Sequence, residues 1–494
     1  MLSYCRQDVR LTARVYQALT QKMLRLGYSN LSAEIEHKIR IVIDKQQSHG
    51  FWFNYERATE FHRYLRGKQS DLAEQIQKLF PPRRTKIEEY RYRRTKDGSP
   101  VASYQRHVQE YGPLNIEHFQ KPFDGEYYAV YKDVPFNLGS PVQRVERLLE
   151  IGWKPDKFTK TKSEKYPEGF PKVDEEALVA FAKESGREEV QALAEWLVIQ
   201  GRASMLETWF NNLGQDSRIH GRVFTCGATT RRMTHNSPNT ANIPSGAKAK
   251  YGRECRSFWG VDPTSRKVLV GYDASGLETA GLCHYLNNPS ATEILLRPKP
   301  DDIHTANAKA LSEALGWFCD REWAAKTGWY AYLYGAYEPK LGSIVRASQN
   351  GMSEKKAGEI VVETFFKKVP GLKKLIDDTQ YEWKNSSGRL RCIDGGFVVC
   401  PSLNAALNYR VQSLGAILMK YSSIILDEEA PKRGILFNRV ADVHDEGQLE
   451  TEEQYGEELG KLAVWSIEEA GRRLKLNVPV TGSYSIGTNW SMTH

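Results

Sequence analysis

Apolar residues fall at helical spacing in Ile39-Arg-Ile-Val-Ile43 and in Leu72-Ala-Glu-Gln-Ile-Gln-Lys-Leu-Phe80, which predicts helices across residues 31–80. Residues 81–140 lose that period. They are rich in Tyr, Pro, Gly and charge, and read as an insert of short strands and loops. Helical spacing returns over 142–151 and 175–210, and 220–226 reads as a strand. From about residue 265 strand and helix patterns alternate, and 301–385 is almost wholly helical. Beyond it the pattern predicts a hairpin over 389–400, a helix over 405–426 and a strand–turn–strand around Asp445. A helix over 452–474, capped by Thr451, and a strand-like tail to His494 complete the chain. There is no internal repeat and no low-complexity linker, so the domains are expected to interleave rather than follow one another.

Two carboxylates stand out in this pattern. Asp273 ends the apolar run Val268-Leu-Val-Gly-Tyr-Asp-Ala-Ser-Gly-Leu-Glu278, and Asp445 lies between two apolar runs in Arg439-Val-Ala-Asp-Val-His-Asp-Glu-Gly-Gln-Leu449. Each sits where a strand meets a turn, so its side chain can enter a cleft. A lone aspartate there is ordinarily a solvated turn residue. Two brought together by a sheet make an oxygen-rich site for Mg²⁺. A pair of ions at such a site stabilises both oxygens of an in-line phosphoryl transfer.

Composition narrows the classes. At 494 residues the chain can bury a large core and hold more than one domain. Hydrophobic residues make up 40% and no run of about 18 of them occurs, so no membrane span is expected. The first residues, Met-Leu-Ser-Tyr-Cys-Arg-Gln-Asp, lack the apolar stretch of a signal peptide. Seven scattered cysteines without a CxxC fit reduced thiols, not a disulfide framework or a zinc site. The net charge of +8 favours a polyanionic partner. It concentrates in Pro81-Pro-Arg-Arg-Thr-Lys86 and Tyr90-Arg-Tyr-Arg-Arg-Thr-Lys96, with aromatics interleaved. Two readings stay open for that stretch: phosphate contact with base stacking, or a hairpin edge protected by cations.

Further blocks accompany the two aspartates. Lys326-Thr-Gly-Trp-Tyr330-Ala-Tyr-Leu-Tyr334-Gly335 places Lys326, Tyr330 and Tyr334 on one face of a helix. Val443-His444-Asp445-Glu446 follows later. In order and spacing, the blocks at Asp273, Lys326 and Asp445 resemble motifs A, B and C of the family A (polymerase I-like) DNA polymerases. The wording is most similar to the branch carried by short-tailed bacteriophages. Thr230-Arg-Arg232-Met-Thr-His-Asn-Ser-Pro238-Asn239-Thr-Ala-Asn242-Ile-Pro244 resembles that family's Thr-Gly-Arg…Pro-Asn-Leu-Gln-Asn-Ile-Pro segment. Asp302-Ile-His304-Thr, Asn408-x-x-x-Gln412 and Asn489-Trp490…His494 also match, so the likeness runs through nearly the whole chain.

The resemblance implies a role for each matching residue. Asp273 and Asp445, with the carbonyl of Ala274, would hold two Mg²⁺ ions, with Mn²⁺ as a substitute. Glu446 would support the turn, and His444 would lie near the primer end. Lys326, His304 and Arg321 would bind the triphosphate. Glu278 and Tyr330 would select the sugar, because a buried Glu bonded to a Tyr hydroxyl leaves a ribose 2′-OH without room or partner. Tyr334 would stack near the templating base. Arg232, Asn242, Asn408 and Gln412 would contact DNA beside the primer terminus, where acceptors look alike for every correct pair.

Departures from the pattern are informative. Relatives carry Arg four residues before the motif B lysine; position 322 is Glu and the arginine is Arg321. One residue turns a side chain by about 100° on a regular helix, so Arg321 reaches the triphosphate only if the helix starts irregularly. Thr279-Ala280 replaces Leu-Arg after Glu278, Arg231 replaces a glycine, Asn404 replaces Arg or His, and Gly396 replaces Arg. These changes are expected to thin the contacts to DNA and within the palm while leaving the metal site whole.

Tyr4-Cys-Arg-Gln-Asp8 resembles the last motif of the family's 3′–5′ exonuclease domain, whose other carboxylates belong upstream. No autonomous proofreading is therefore expected. Either a separate exonuclease polypeptide docks on residues 1–40, or the start codon is misplaced. Residues 81–135 fall where certain phage relatives insert a loop that clasps host thioredoxin, so a processivity factor there is a further expectation.

The implied fold is α+β, a right-hand polymerase fold with an antiparallel-sheet palm, helical fingers and a helical thumb. The expected boundaries are an exonuclease remnant or docking end at 1–40, thumb at 41–219, palm at 220–300 and 394–494, and fingers at 301–393. The implied function is template-directed extension of a DNA primer with dNTPs, in phage replication within the cytoplasm of an infected bacterium. A single-subunit RNA polymerase shares the two aspartates and the lysine; Glu278 speaks against it, and a choice of dNTPs over rNTPs decides. A non-catalytic DNA-binding replisome subunit is the third reading, which Asp445→Ala would leave indistinguishable from wild type.

Overall fold

The computed structural model describes residues 2–122, 124–244, 246 and 249–494. Packing divides the chain into two units: Glu56–Glu207, and Thr208–His494 together with the residues up to Tyr55. Residues 41–55 and 208–219, expected in the thumb, thus pack with the larger unit.

The larger unit begins with helix α1 (Leu2–Leu26), which is exposed along nearly its whole length. Helix α2 (Asn30–His49) starts at Ser29, whose hydroxyl accepts the Ser32 amide at 3.1 Å. The spacing of Ile35, Ile39, Val42 and Ile43 makes one apolar face, and all four are buried.

The smaller unit has its own core around Ile76, Phe80, Phe136, Leu148, Leu193 and Trp196. It also carries strand β1 (Arg83–Arg91), helix α3 (Ala102–Tyr111) and strands β2 (Ile116–Lys121) and β3 (Gly125–Val134). The three strands form an antiparallel sheet in the order β1-β3-β2. The expected short strands and loops are therefore a built three-stranded sheet with a helix on one face. Tyr128 is buried there, with the rings of Tyr90, Tyr104, His107 and His118 around it. An aliphatic helical stripe is missing from α3 because rings do the packing.

The larger unit is organised on a second antiparallel sheet. Its strands are β4 (Lys267–Ala274), β5 (Phe437–Val443), β6 (Glu446–Glu452) and β7 (Gly482–Gly487), in the order β5-β6-β4-β7. Glu446 lies opposite Asp273, and Ser483 opposite Asp273 on the other side. Helix α4 (Leu277–Leu286) follows β4. Helix α5 (Ile303–Leu315), a π-helical stretch (Arg321–Thr327) and helix α6 (Gly328–Leu333) come next. The long α7 (Ala406–Glu429), α8 (Gly456–Arg473) and the short α9 (Trp490–Thr493) complete it. Buried residues of β4, α7 and α8, such as Val270, Ile417, Ile424, Leu459 and Ile467, belong to one continuous core.

Two local expectations fail. Thr451 is the penultimate residue of β6 and donates to the Leu436 carbonyl at 2.6 Å instead of capping a helix. The tail is a strand followed by α9, where Asn489 accepts the Ser491 amide at 3.1 Å. At Thr451 the sheet overrode a local capping rule, whereas at Asn489 the cap formed and turned the end of the tail into a helix.

Candidate active site

The site starts from the β5–β6 hairpin. Val443 and Glu446 are its last paired residues, so His444 and Asp445 form a two-residue turn. His444 takes a left-handed backbone, φ 58°, which such a tight turn requires. Asp445 is therefore held at the tip, beside the end of β4. The Ala274 amide donates to the Asp445 carbonyl at 3.0 Å. Burial raises the Asp273 carboxyl to about 7, helped by the charges of Asp445 and Glu446. The fold thus gathers three carboxyl groups at the end of β4.

Among the described residues no group of three or more His, Cys, Asp or Glu side chains could hold a metal. The donor set is two aspartates and nearby backbone carbonyls. That suits Mg²⁺, which keeps waters and substrate phosphates in its shell and seldom sits in an all-protein cage.

Glu446 faces a different set of partners. Trp490 Nε1 and Gln448 Nε2 donate to it, and Arg256 and His494 lie at 3.6 and 3.4 Å. Its carboxylate is occupied in tying β6 to α9. Beneath the turn, Tyr272 covers Gly447, where a Cβ would meet the ring at 2.3 Å. The Tyr272 hydroxyl accepts from Arg439 at 2.7 Å, and Arg439 pairs with Asp442 at 3.0 Å, all buried. Sequence reasoning missed this triad. Its signal was a buried-strand pattern interrupted by Arg439 and Asp442 three residues apart.

On the helical side, Arg321 and Lys326 each lie within electrostatic reach of His304. Buried His304 Nδ1 has no partner among the described residues. Asp302 caps α5, accepting the Thr305 amide at 2.9 Å, and also pairs with Arg321. Lys326 is 3.5 Å from Glu322. The irregular start required for Arg321 is present. The Ala325 amide donates to the Asp320 carbonyl five residues back, at 3.1 Å. With that wider turn, residues five apart share a face, as Arg321 and Lys326 are.

The pocket below is lined by Glu278, Tyr330, Tyr334, Asn408 and Val411. The hydroxyl that meets Glu278 is Tyr334's, at 2.8 and 2.9 Å to the two oxygens, and not Tyr330's. Glu278 is half-exposed, not buried, and Arg232 approaches it at 3.5 Å. Tyr330 instead stands 5.7 Å from the His304 ring and 6.2 Å from that of Tyr334. Gln412 lies one turn beyond Asn408 on α7, and Asn242 ends a 3₁₀ turn, Thr240–Asn242. His444 and Arg232 are electrostatic neighbours. Tyr4 and Asp8 lie on the exposed α1.

The replaced residues at 231 and 396 fit each other. Arg231 adopts φ 64° and is buried between Glu36 at 2.7 Å and Asp394 at 2.8 Å. A Cβ on Gly396 would lie 2.3 Å from the Ser32 hydroxyl and 2.8 Å from the Arg231 guanidinium. Arg231 thus makes a buried ion pair in the space that Gly396 leaves open.

Residues 115–492 match the model of DNA polymerase family A. The chain is 28% identical to the DNA-directed DNA polymerases of Enterobacteria phage T3 and Escherichia phage T7. Each of those alignments covers 100% of this chain and 76% of the relative. It is 31% identical to that of Escherichia phage Phieco32, over 57% of this chain and 56% of the relative. The polymerase domain of Pol1 from M. smegmatis, solved with DNA primer-template and dNTP, superposes with a TM-score of 0.71. That match has 20% identity and covers 97% of this chain and 74% of that one.

Proposed function

Since the chain belongs to DNA polymerase family A and is a DNA-directed DNA polymerase, we propose that it extends a DNA primer with dNTPs, using two Mg²⁺ ions held at Asp273 and Asp445. The observation that carries this reading is the sheet register. It sets the hairpin tip against the end of β4 and leaves a carboxyl cluster with Asp273 raised to about 7. Bound Mg²⁺ would neutralise charge on the primer 3′-oxygen and on the leaving pyrophosphate.

The chain's own residues do the rest. Lys326, Arg321 and His304 receive the triphosphate, where fixed cations offset charge that grows as pyrophosphate departs. Arg321 must exchange Asp302 for phosphate to take part. Tyr330 and the Tyr334–Glu278 pair bound the sugar. Arg232, Asn242, Asn408, Gln412 and His444 meet the primer terminus and its base pair. Glu446, anchored to Trp490, keeps the hairpin tip in place. Likeness to phage polymerases supports a role in phage DNA replication inside the host cell.

Extension of a labelled primer in Mg²⁺ tests the reading. Asp273→Asn and Asp445→Asn should each slow incorporation by about 10³-fold, with primer–template affinity retained. Incorporation near the wild-type rate in either variant would end it.

A further inference from the structure

One face of the β1-β3-β2 sheet receives α3. The register assigns Phe119, Tyr127 and Tyr131 to the other face. Phe119 and Tyr127 stack, with centroids 5.9 Å apart and planes 29° apart. Cations lie over all three rings: Lys86 at 5.4 Å from Phe119, Lys121 at 4.5 Å from Tyr127 and Arg84 at 4.6 Å from Tyr131. Among the described residues, the partners of these side chains are the sheet, its own hairpin and the Leu114 carbonyl, to which Arg84 donates at 2.9 Å. Lys86 and Lys121 share Glu89, Arg84 pairs with Glu117, and Arg91 with Asp124. All of these ion pairs are a third or more exposed.

The edge of this sheet is strongly cationic. From Arg83 to Lys96, along β1 and just past it, there are seven Lys or Arg and two Glu. A groove of about 320 Å³ runs along that edge, lined by Arg83, Arg84, Lys86 and Arg147, with Glu146 as its acid.

We propose that this face of the insert binds single-stranded DNA, its bases stacked on Phe119, Tyr127 and Tyr131 and its phosphates tracked by Arg84, Lys86, Lys121 and the β1 edge. Relative strengths favour the exchange. An exposed ion pair is worth about fivefold or less in an equilibrium, and an exposed cation–ring contact about the same. A base stacked on a ring contributes about five- to hundredfold. Bases therefore displace the lysines from the rings, and the freed ammonium groups meet phosphates. Stacking accepts any base, so the face is expected to ignore sequence.

The test uses the full chain and fluorescence anisotropy with a labelled oligothymidylate of about twenty nucleotides, long enough to exceed one binding-site length. A blunt duplex of equal length is the control. Phe119→Leu with Tyr127→Leu keeps apolar bulk and removes the rings. It should weaken oligothymidylate binding at least tenfold, by the stacking estimate of about fivefold or more per ring. The salt slope and the affinity for the duplex should stay unchanged. Lys86→Gln with Lys121→Gln, both exposed changes, should lower the slope for the single strand by about 1.4. Single-nucleotide extension of a short-overhang substrate stays normal in both variants, which separates this proposal from the catalytic one. Unchanged oligothymidylate affinity would overturn it, as would equal weakening for the duplex. A face that serves a protein processivity factor instead leaves both DNA affinities untouched, and that outcome overturns it too.

Discussion

Asp302 has two partners that pull its role in different directions. It caps α5 through the Thr305 amide and it neutralises Arg321. Asparagine caps nearly as well as aspartate but carries no charge. Asp302→Asn should therefore leave the fold intact and free Arg321, lowering the KM for dNTPs about two- to fivefold, the worth of a partly exposed pair. Asp302→Ala should lose about 1 kcal/mol of stability through the cap, seen as a lower Tm. A KM unchanged in the Asn variant would show the pair to be only structural. Tyr334→Phe removes the hydroxyl that donates to Glu278, a bond to a charged group worth about 1.5–3 kcal/mol. Discrimination between dNTPs and rNTPs should fall about tenfold. If Tyr330→Phe has that effect and Tyr334→Phe does not, the pairing seen here is not the one that selects the sugar. The candidate site was legible because Asp273, Lys326 and Asp445 stand in a fixed order with recognisable neighbours. The tyrosine that meets Glu278 was not, since spacing by four puts Tyr330 and Tyr334 on the same helical face. Gly396 was equally opaque. Its missing side chain makes sense only once Arg231 is known to fill the space, and Gly396→Ala should cost about 1–3 kcal/mol by overpacking.

At the level of elements, Glu450 is the tie between the sheet and α2. It sits on β6 with no exposed surface and binds His49 at 3.3 Å, Arg218 at 2.9 Å and Lys267 at 2.8 Å. Burial alone would raise its carboxyl, but these partners overcome that and hold it at about 2. A depressed carboxyl stabilises the fold above its unfolded value, near 4.5, and loses that contribution as pH falls toward 2. Glu450→Gln should thus cost on the order of 3 kcal/mol in denaturation at pH 7. The difference from wild type should shrink steadily below pH 4.5. A gap undiminished at pH 3 would assign the effect to packing instead. Elements with aliphatic period, such as α2 and α7, were readable from sequence. Helix α3 was not, because its contacts are ring on ring. The π-helical start at Arg321 was raised only as a condition, since five-residue hydrogen bonding leaves no period in so short a stretch.

For the whole molecule, DNA affinity should be dominated by phosphate contact, and raising salt from 50 to 200 mM should weaken primer–template binding by about 10³-fold or more. Equilibrium titrations at several salt concentrations measure the slope, and a flat one would deny an electrostatic grip. The overall fold was legible because motif order is independent of packing detail, and the Pol1 polymerase domain superposes over 97% of the chain. The split into two compact units was harder to see, since Glu56–Glu207 interrupts a unit whose first piece lies before it. Strand β4 has a last consequence. Its two neighbours, β6 and β7, are translated long after it. On the ribosome β4 therefore waits with both edges unsatisfied, an invitation to wrong pairing that chaperones or a slow, guarded synthesis must cover.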